Sequence, residues 1–452
     1  MQNIIKITLF LLMTFPLSAF SQKNNEVIKL TYDDAESFSE GLAGVQRNEK
    51  WGFINTKGKE VISLKYDYIN DFSNGFSKVR KNGKWGFINK TGKEITPLKY
   101  DQIYDFSEGL AEVSLNDKWG FVNANGEEII PLKYDAVEGF SEELAGASLN
   151  GKWGFIDKNG KEIIPFIYEK TNEFTDGLAV VVLNNQGAFI DKTGKEITAF
   201  EYDKMQDSSE GFIGVRSNRK WGFIDKTGKK ITPLIYDEIK GFSEGLAAVS
   251  LNEKWGFINL NGEEVIPLKY EAASNFLDGK AVVYLNGKSG YIDKSENIVI
   301  PFNYEFVYNF SEGLAGVAVN GSRGFIDKTG TEVIPLKYYY VNSFSNGVAI
   351  VQLNDKYGII DQTGKELTPI KYDKIYKFKE GVAMVIIDRK KGFIDTTGKE
   401  IIPPIYYSAA DFNTGLARFN SDGTWYYIDK TGKIVIEIPW VENEDHIIES
   451  ND

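Results

Sequence analysis

One spacing constrains this chain more than any other feature. The hexapeptide Lys50-Trp51-Gly52-Phe53-Ile54-Asn55 returns as Lys84–Asn89, as Lys152–Asp157 and in near copies elsewhere. Its second position falls at 51, 85, 119, 153, 187, 221, 255, 289, 323, 357, 391 and 425, a step of 34 residues with no insertion or deletion in twelve copies. Tyr32, Tyr66, Tyr100 and their successors to Tyr406 keep the same step, as does the Phe-Ser-Glu-Gly box that begins at Phe38 and recurs through Phe412, with Ser208 the only residue other than Phe at its first position. A chain of 452 residues exceeds what one core organises, and self-similarity of this kind means a repeat array.

The same period belongs to some helical repeats, so the residues must decide. Each unit carries about three glycines, and nine carry a proline after an Ile/Val/Thr-rich pair, as at Ile129-Ile130-Pro131. That density forbids two long helices per unit. Strand signals fit instead. A short run containing Val45, Val79 or Val113 leads into two-residue turns such as Asn82-Gly83 and Asn150-Gly151, the strongest short hairpin signal. The Trp-Gly segment is the second strand. A turn follows with glycine at eleven of twelve positions from Gly58 to Gly432, Glu296 being the exception. The segment ending in proline is the third strand, which proline is expected to stop. A short fourth strand in the linker would complete a β-meander.

In the middle strand the column from Phe53 to Tyr427 and the adjacent column from Ile54 to Ile428 are both apolar throughout. Neighbouring strand residues face opposite ways, so both faces are buried and the small sheets must stack along the chain. The expectation is an all-β array of tandem 34-residue meanders, stacked as an open superhelix or solenoid, with a closed β-propeller as the alternative. The open form is favoured because Val27–Tyr32 and Ile434–Trp440 both align with the third strand, which gives each end a finished edge.

The ends and the composition bound the setting. Ile4–Phe20 is apolar, with Lys6 near its start and Ala19-Phe20-Ser21 at its end, the pattern of a secretory signal peptide over residues 1–21. The repeats then fill residues 22–440, and residues 441–452 form an acidic tail. The formal net charge of −12 argues against nucleic acid and anionic membrane surfaces, and no later stretch could span a bilayer as a helix. With no cysteine there are no disulfides, thiolate metal sites or cysteine nucleophiles. The single histidine, His446, lies in the tail, so neither a Ser-His-Asp site nor a His-rich metal centre is expected. No cofactor is expected, and the periplasm, cell surface or exterior is the expected location.

With "KWGFIDKTGKEIIP" joined to "YD…FSEGLA", the chain resembles the bacterial WG (KWG) repeat over residues 27–440. The resemblance implies an exported or surface-associated array with an interaction role and brings no agreed catalytic residues. Gly187, Ser289, Arg323 and Lys391 depart from it at the Trp position. A weaker likeness, carried by Trp425–Asp429, is to aromatic hairpins that bind cell-wall choline or glucans.

A column that accepts Arg323 and Lys391 cannot be fully buried. Its Trp residues are expected mainly to cover the neighbouring hairpin. Trp51, Trp85, Trp119, Trp153, Trp221 and Trp255 are also the candidate ligand-binding stripe, for a protein partner or a cell-surface glycan. The Asp/Asn column from Asn55 to Asp429 is expected to accept turn N–H bonds, since one carboxylate per turn is too few for a calcium ladder. Asp67, Asp101, Asp135 and Glu169 are candidates for pairing with lysines. A binding scaffold without catalysis is the expected function. A carboxylate-dependent glycan hydrolase is the alternative, and it would need a pair of acids outside the repeated columns.

Overall fold

The computed structural model describes residues 27–439, apart from 207 and 422, and places them in twelve small antiparallel sheets, one per repeat. The leader, the acidic tail with His446, and Trp440 lie outside the described residues. Repeat 1 is taken as residues 33–66, and repeat 12 as 407–440. Repeat 3 is representative. A two-residue short strand, Gln102–Ile103, pairs with a first long strand, Leu110–Leu115. A middle strand, Lys118–Asn123, follows, and then a third strand, Glu128–Tyr134. The hairpin turn takes left-handed φ at both central residues, 52° at Asn116 and 59° at Asp117, which matches the right-handed twist of the flanking strands.

Proline does not end the third strand. Trp119 pairs with Tyr134 and Phe121 with Ile130, so the third strand carries extra residues in a bulge around Pro131 and continues to Tyr134. In four repeats only isolated bridges replace this strand, and those four carry Thr before the proline or its equivalent: Thr96, Thr198, Thr232 and Thr368. Each threonine Oγ1 accepts the N–H of a middle-strand residue, Phe87, Phe189, Phe223 or Ile359, at 2.8 to 3.0 Å. The side chain takes a place in the ladder that backbone holds elsewhere.

The core lies between sheets. Leu246, Phe257, Ile266 and Tyr270 of repeat 7 pack against Ala273, Phe276, Ala281, Val283 and Ile292 of repeat 8. The middle strand is buried on both faces, as Phe53 and Ile54 illustrate at 1% and 0% exposure. Polar links tie the same neighbours at the Phe-Ser-Glu-Gly turns. Ser39, Ser107, Ser141, Ser243 and Ser311 donate to the carbonyl of the Phe 33 residues on, at 2.7 to 2.9 Å. Glu40, Glu142, Glu244 and Glu312 accept from the glycine N–H 35 residues on, at 2.9 to 3.0 Å. Lys90, Lys192 and Lys294 close onto three of those carboxylates at 2.9 to 3.2 Å.

The array is closed, which overturns the open superhelix. Twelve sheets are accompanied by twelve core clusters, whereas an open stack has one interface fewer than its sheets. The twelfth cluster joins Leu416, Tyr427, Ile436 and Ile438 of repeat 12 to Ala35, Phe38, Ala43, Val45 and Ile54 of repeat 1. Across the seam the Phe38 and Tyr427 rings lie 4.8 Å apart, the same spacing as Phe53–Phe72 and Phe257–Phe276 inside the array. The spare third strand serves closure. Ile28–Lys29 adds in parallel beside Ile434–Ile438, with Ile28 opposite Ile436 and Lys29 opposite Glu437, its own counterparts one full circuit on.

The pairing is possible because neither edge carries proline. Lys29 and Glu437 occupy the proline column, Leu30 N–H donates to the Glu437 carbonyl at 2.9 Å, and the two side chains form a 3.7 Å ion pair. Proline would lack the N–H that a ladder residue offers. Glu437→Pro is therefore expected to lower Tm and to strip amide-exchange protection from repeats 1 and 12 first. Small-angle scattering should show a compact ring for the parent chain; an elongated particle would contradict closure.

Candidate binding surface

The short strand lies on the inner edge of the ring. There, side chains two repeats apart influence one another: Glu173 of repeat 5 acts on Glu112 of repeat 3, and Arg418 of repeat 12 on Asp71 of repeat 2. Arg418 also pairs with Glu36 across the seam at 3.4 Å, and Lys78 with Asp105 at 2.9 Å.

Three columns supply these groups. They begin at Glu36, Ser37 and Gly44, and they change identity around the ring while the Phe, Ile and Tyr columns barely do. The column of Gly44 reads Lys78, Glu112, Gly146, Val180 and, near the end, Met384 and Arg418. Frame residues are fixed by packing, whereas these side chains stand on a rim where several chemistries are accommodated.

Glu112 and Glu138 stand out on this rim. Burial first, then the charges of Glu173 and Asp105, pushes Glu112 up to about 7. Burial and Glu173 push Glu138 up to about 7, against a hydrogen bond from Thr171. Sequence reading passed over both residues. For Glu112 the available signal was a Glu in a column otherwise filled mostly by Gly and apolar residues; the column of Glu138 is mixed and mostly polar. Among the described residues no group of three or more His, Cys, Asp or Glu could hold a metal ion.

The six candidate tryptophans occupy one equivalent half-buried place per repeat, and among the described residues no two of them share a ring contact. Each packs over the core shared with the next repeat, as Trp51 does on the cluster of Phe53, Tyr66 and Phe72. Basic side chains lie on several. Arg80 sits 5.5 Å from Trp85 and 5.7 Å from Tyr68, Arg216 lies 5.6 Å from Trp221, and Lys240 lies 5.5 Å from Trp255. The substitutions show how the place is filled without Trp. Met205 fills the space at Gly187, and the Lys391 stem crosses the surface so that Nζ reaches the Ala409 carbonyl at 3.3 Å.

The remaining columns are structural. Asn55 Oδ1 accepts from Lys57 and Lys59 N–H, and Asp191 and Asp327 do the same in their turns. Lys50–Asp67, Lys84–Asp101 and Lys118–Asp135 are ion pairs at 2.7, 2.5 and 2.7 Å. The glycine after Trp admits close backbone: a Cβ on Gly52 would lie 2.4 Å from the Ile62 carbonyl oxygen. In repeat 8 Glu296 keeps a positive φ of 64° in the turn. It also provides the carboxylate that Ile298 cannot, reaching Lys269 at 2.7 Å and the Tyr270 hydroxyl at 2.9 Å.

The WG containing repeat family model matches twelve successive stretches, from 20–51 and 51–85 through to 357–390 and 392–425. The chain belongs to the WG containing repeat family. No curated protein matches it in sequence.

Solved structures similar to this WG repeat chain include a eukaryotic initiation factor, at 12% identity over 73% of this chain and 96% of that one, with a TM-score of 0.36. Another is an extracellular domain assigned to a one-component system of B. thetaiotaomicron, at 11% identity, 92% and 73% coverage and a TM-score of 0.22. A third is PorZ, a surface component of the type-IX secretion system of Porphyromonas gingivalis, at 9% identity, 91% and 75% coverage and a TM-score of 0.23. TM-scores of this size do not extend to a common arrangement of the whole chain. Among the described residues no helix is long and apolar enough to cross a membrane.

Two predictions follow from the rim and the Trp column. The carboxyls of Glu112 and Glu138 titrate higher in the fold than at their ordinary 4.5, so the stability they contribute is complete below that value and is lost as pH rises through about 7. Replacing both with Gln should flatten Tm between about pH 5 and pH 8. At the alkaline end each should gain about 1 kcal/mol, a figure reduced for solvent screening of these half-buried groups. In the frame, Phe87→Lys should cost about 4 kcal/mol by burying an unpaired charge, whereas Trp153→Lys should cost about 1 kcal/mol because the Lys391 route is open to it. Urea melts of the two variants would decide whether the Trp place is cover or core.

Proposed function

We propose that this WG repeat ring is a non-catalytic scaffold, exported beyond the cytoplasm, that binds a protein or glycan partner. The observation that carries the reading is the contrast between a frame repeated twelve times and an inner edge whose charge changes from repeat to repeat. A rigid ring whose charge varies along one rim suits recognition, because the rim can be altered without disturbing the packing beneath it. The apolar leader before Gln22 supports export. The stripe Trp51, Trp85, Trp119, Trp153, Trp221 and Trp255 is the second candidate surface, its half-exposed rings suited to sugar faces or partner aromatics.

The hydrolase reading has one observation in its favour, the raised carboxyls of Glu112 and Glu138. A glycosidase acid and its partner need environments that push their pKa values apart. Here burial and shared neighbours push both the same way, to about 7. That favours a cluster of acids crowded by the ring over an acid–base pair.

Residues 22–452 offered to a glycan array and to an envelope-protein pull-down should capture a partner without cleaving it. Capture should be weakened by Glu112→Gln with Glu138→Gln and Glu173→Gln. It should survive in a quadruple Trp51, Trp85, Trp119 and Trp153 to Lys variant that keeps its β circular dichroism. Capture lost only in the tryptophan variant would move the site to the stripe, and glycan cleavage abolished by the Gln changes would overturn the non-catalytic reading.

A further inference from the structure

The junction between repeats 2 and 3 departs from the ring's pattern in several ways at once. At six junctions a serine hydroxyl holds the next repeat's Phe carbonyl, but Ser73 makes no such bond to Phe106, nor does Ser345 to Phe378. Asn74 stands where Glu40, Glu108 and Glu142 cap the next turn, and Ala124 stands where Lys90, Lys158 and Lys192 close onto that carboxylate. Phe76 replaces the Leu of most repeats, and Lys78 a position that is glycine in several. The ring pair that crosses edge-on at most junctions, with interplanar angles of 65° at Phe53–Phe72 and 63° at Phe121–Phe140, is turned to 31° at Phe87–Phe106, as it is to 37° at Tyr291–Phe310.

The links are also missing beside Asn346 and Thr414, where Val348 and Leu416 stand in the column of Phe76; here their absence coincides with Phe76, and the junction holds a pocket of about 200 Å³. Its floor is aromatic: Phe106 lies 4.6 Å from Phe87 and 5.0 Å from Phe76. Its rim carries Asn70, Asp71, Ser73 and Asn74, whose side chains make no hydrogen bond to another described residue. Ser77 Oγ donates to the Asn70 carbonyl at 2.6 Å and steadies that edge, and the Lys78–Asp105 pair closes the far side. Loss of the serine link alone does not make such a site. At the junction of repeats 8 and 9, where Leu277 replaces the serine, the space is about 10 Å³.

We infer that this pocket binds a single neutral pyranose residue, an inference that rests on the binding reading above and names the ligand class. A pyranose has an apolar C–H face, which stacks on aromatic rings, and a rim of hydroxyls that both donate and accept. Asn70 and Asn74 offer carboxamides that do both, Asp71 accepts, and Ser73 does either. Lys78 is paired with Asp105, and Arg418, which acts on Asp71, is paired with Glu36, so Asp71 leaves the site with a net negative charge that disfavours acidic sugars. The free amides and hydroxyl are the groups that a sugar's hydroxyls satisfy in place of water.

Saturation-transfer NMR on residues 22–452, with the methyl glycosides of glucose, galactose, mannose and N-acetylglucosamine as probes and glucuronate as the charged control, tests this. At least one neutral glycoside should receive saturation on its C–H face, and glucuronate should not. Asn70→Ala with Asn74→Gly should weaken that binding about tenfold or more with little change in Tm, since glycine accepts the φ of 52° at position 74 and neither side chain bonds to the fold. Asn74→Glu with Ala124→Lys should rebuild the link seen at the other junctions, raise Tm and abolish binding. Failure of every neutral glycoside, or a stronger signal from glucuronate, overturns the inference. So does binding that persists in the rebuilt variant. Partner capture by the ring in the same samples would show that only the sugar assignment had fallen.

Discussion

The structure depends on one contact made at eleven of its twelve junctions, Ser208 being the exception: the aromatic or aliphatic side chain of each middle strand against the Phe of the next repeat's Phe-Ser-Glu-Gly box. Where both are aromatic the rings mostly cross at about 4.8 Å, and the spacing holds from Phe53–Phe72 through to Tyr427–Phe38. Because the same contact recurs with the same chain length between, each sheet is turned on its neighbour by the same amount. Uniform turning is what lets repeat 12 meet repeat 1 in the geometry of any other junction. A single inserted residue would have broken the uniformity, and there is none from position 51 to position 425.

Most of the frame was legible because each of its columns answers to one physical demand. Two adjacent apolar columns announced a strand buried on both sides, Asn-Gly pairs announced primed turns, and Asp or Asn at the turn announced its own hydrogen bonds. Closure was misread at the ends. A surplus third strand looked like two finished edges, but a parallel strand can lie beside its own repeat counterpart. The chain marks that seam by setting Lys29 and Glu437 where nine repeats carry proline. Thr before proline was equally readable in hindsight, since a hydroxyl at Thr96 can take the ladder bond that the bulged backbone gives up.

The rim was less legible for a physical reason. Whether Glu112, Glu138 and Glu173 meet depends on curvature: in a straight stack, residues of repeats 3 and 5 stay apart, and closure brings their charges into range. No period along the chain reports that distance. The Trp column had the opposite difficulty. It was conspicuous in sequence because large aromatic residues are rare, yet its place is half-covered by Arg80, Lys240 and the neighbouring core, which is a demand of packing.

Closure also changes what a local defect means. In an open array, a junction that loses its links weakens the chain at that point and divides it into two independent stacks. In a ring, the two repeats flanking the defect remain held through the other eleven junctions, so the gap between repeats 2 and 3 can stay open without separating them. Ser73, Asn74 and Ala124 can therefore be released from structural duty where their counterparts cannot be released all round. A closed circuit of recurring contacts tolerates irregular junctions, and at this one side chains of the frame are free to meet something else above an aromatic floor.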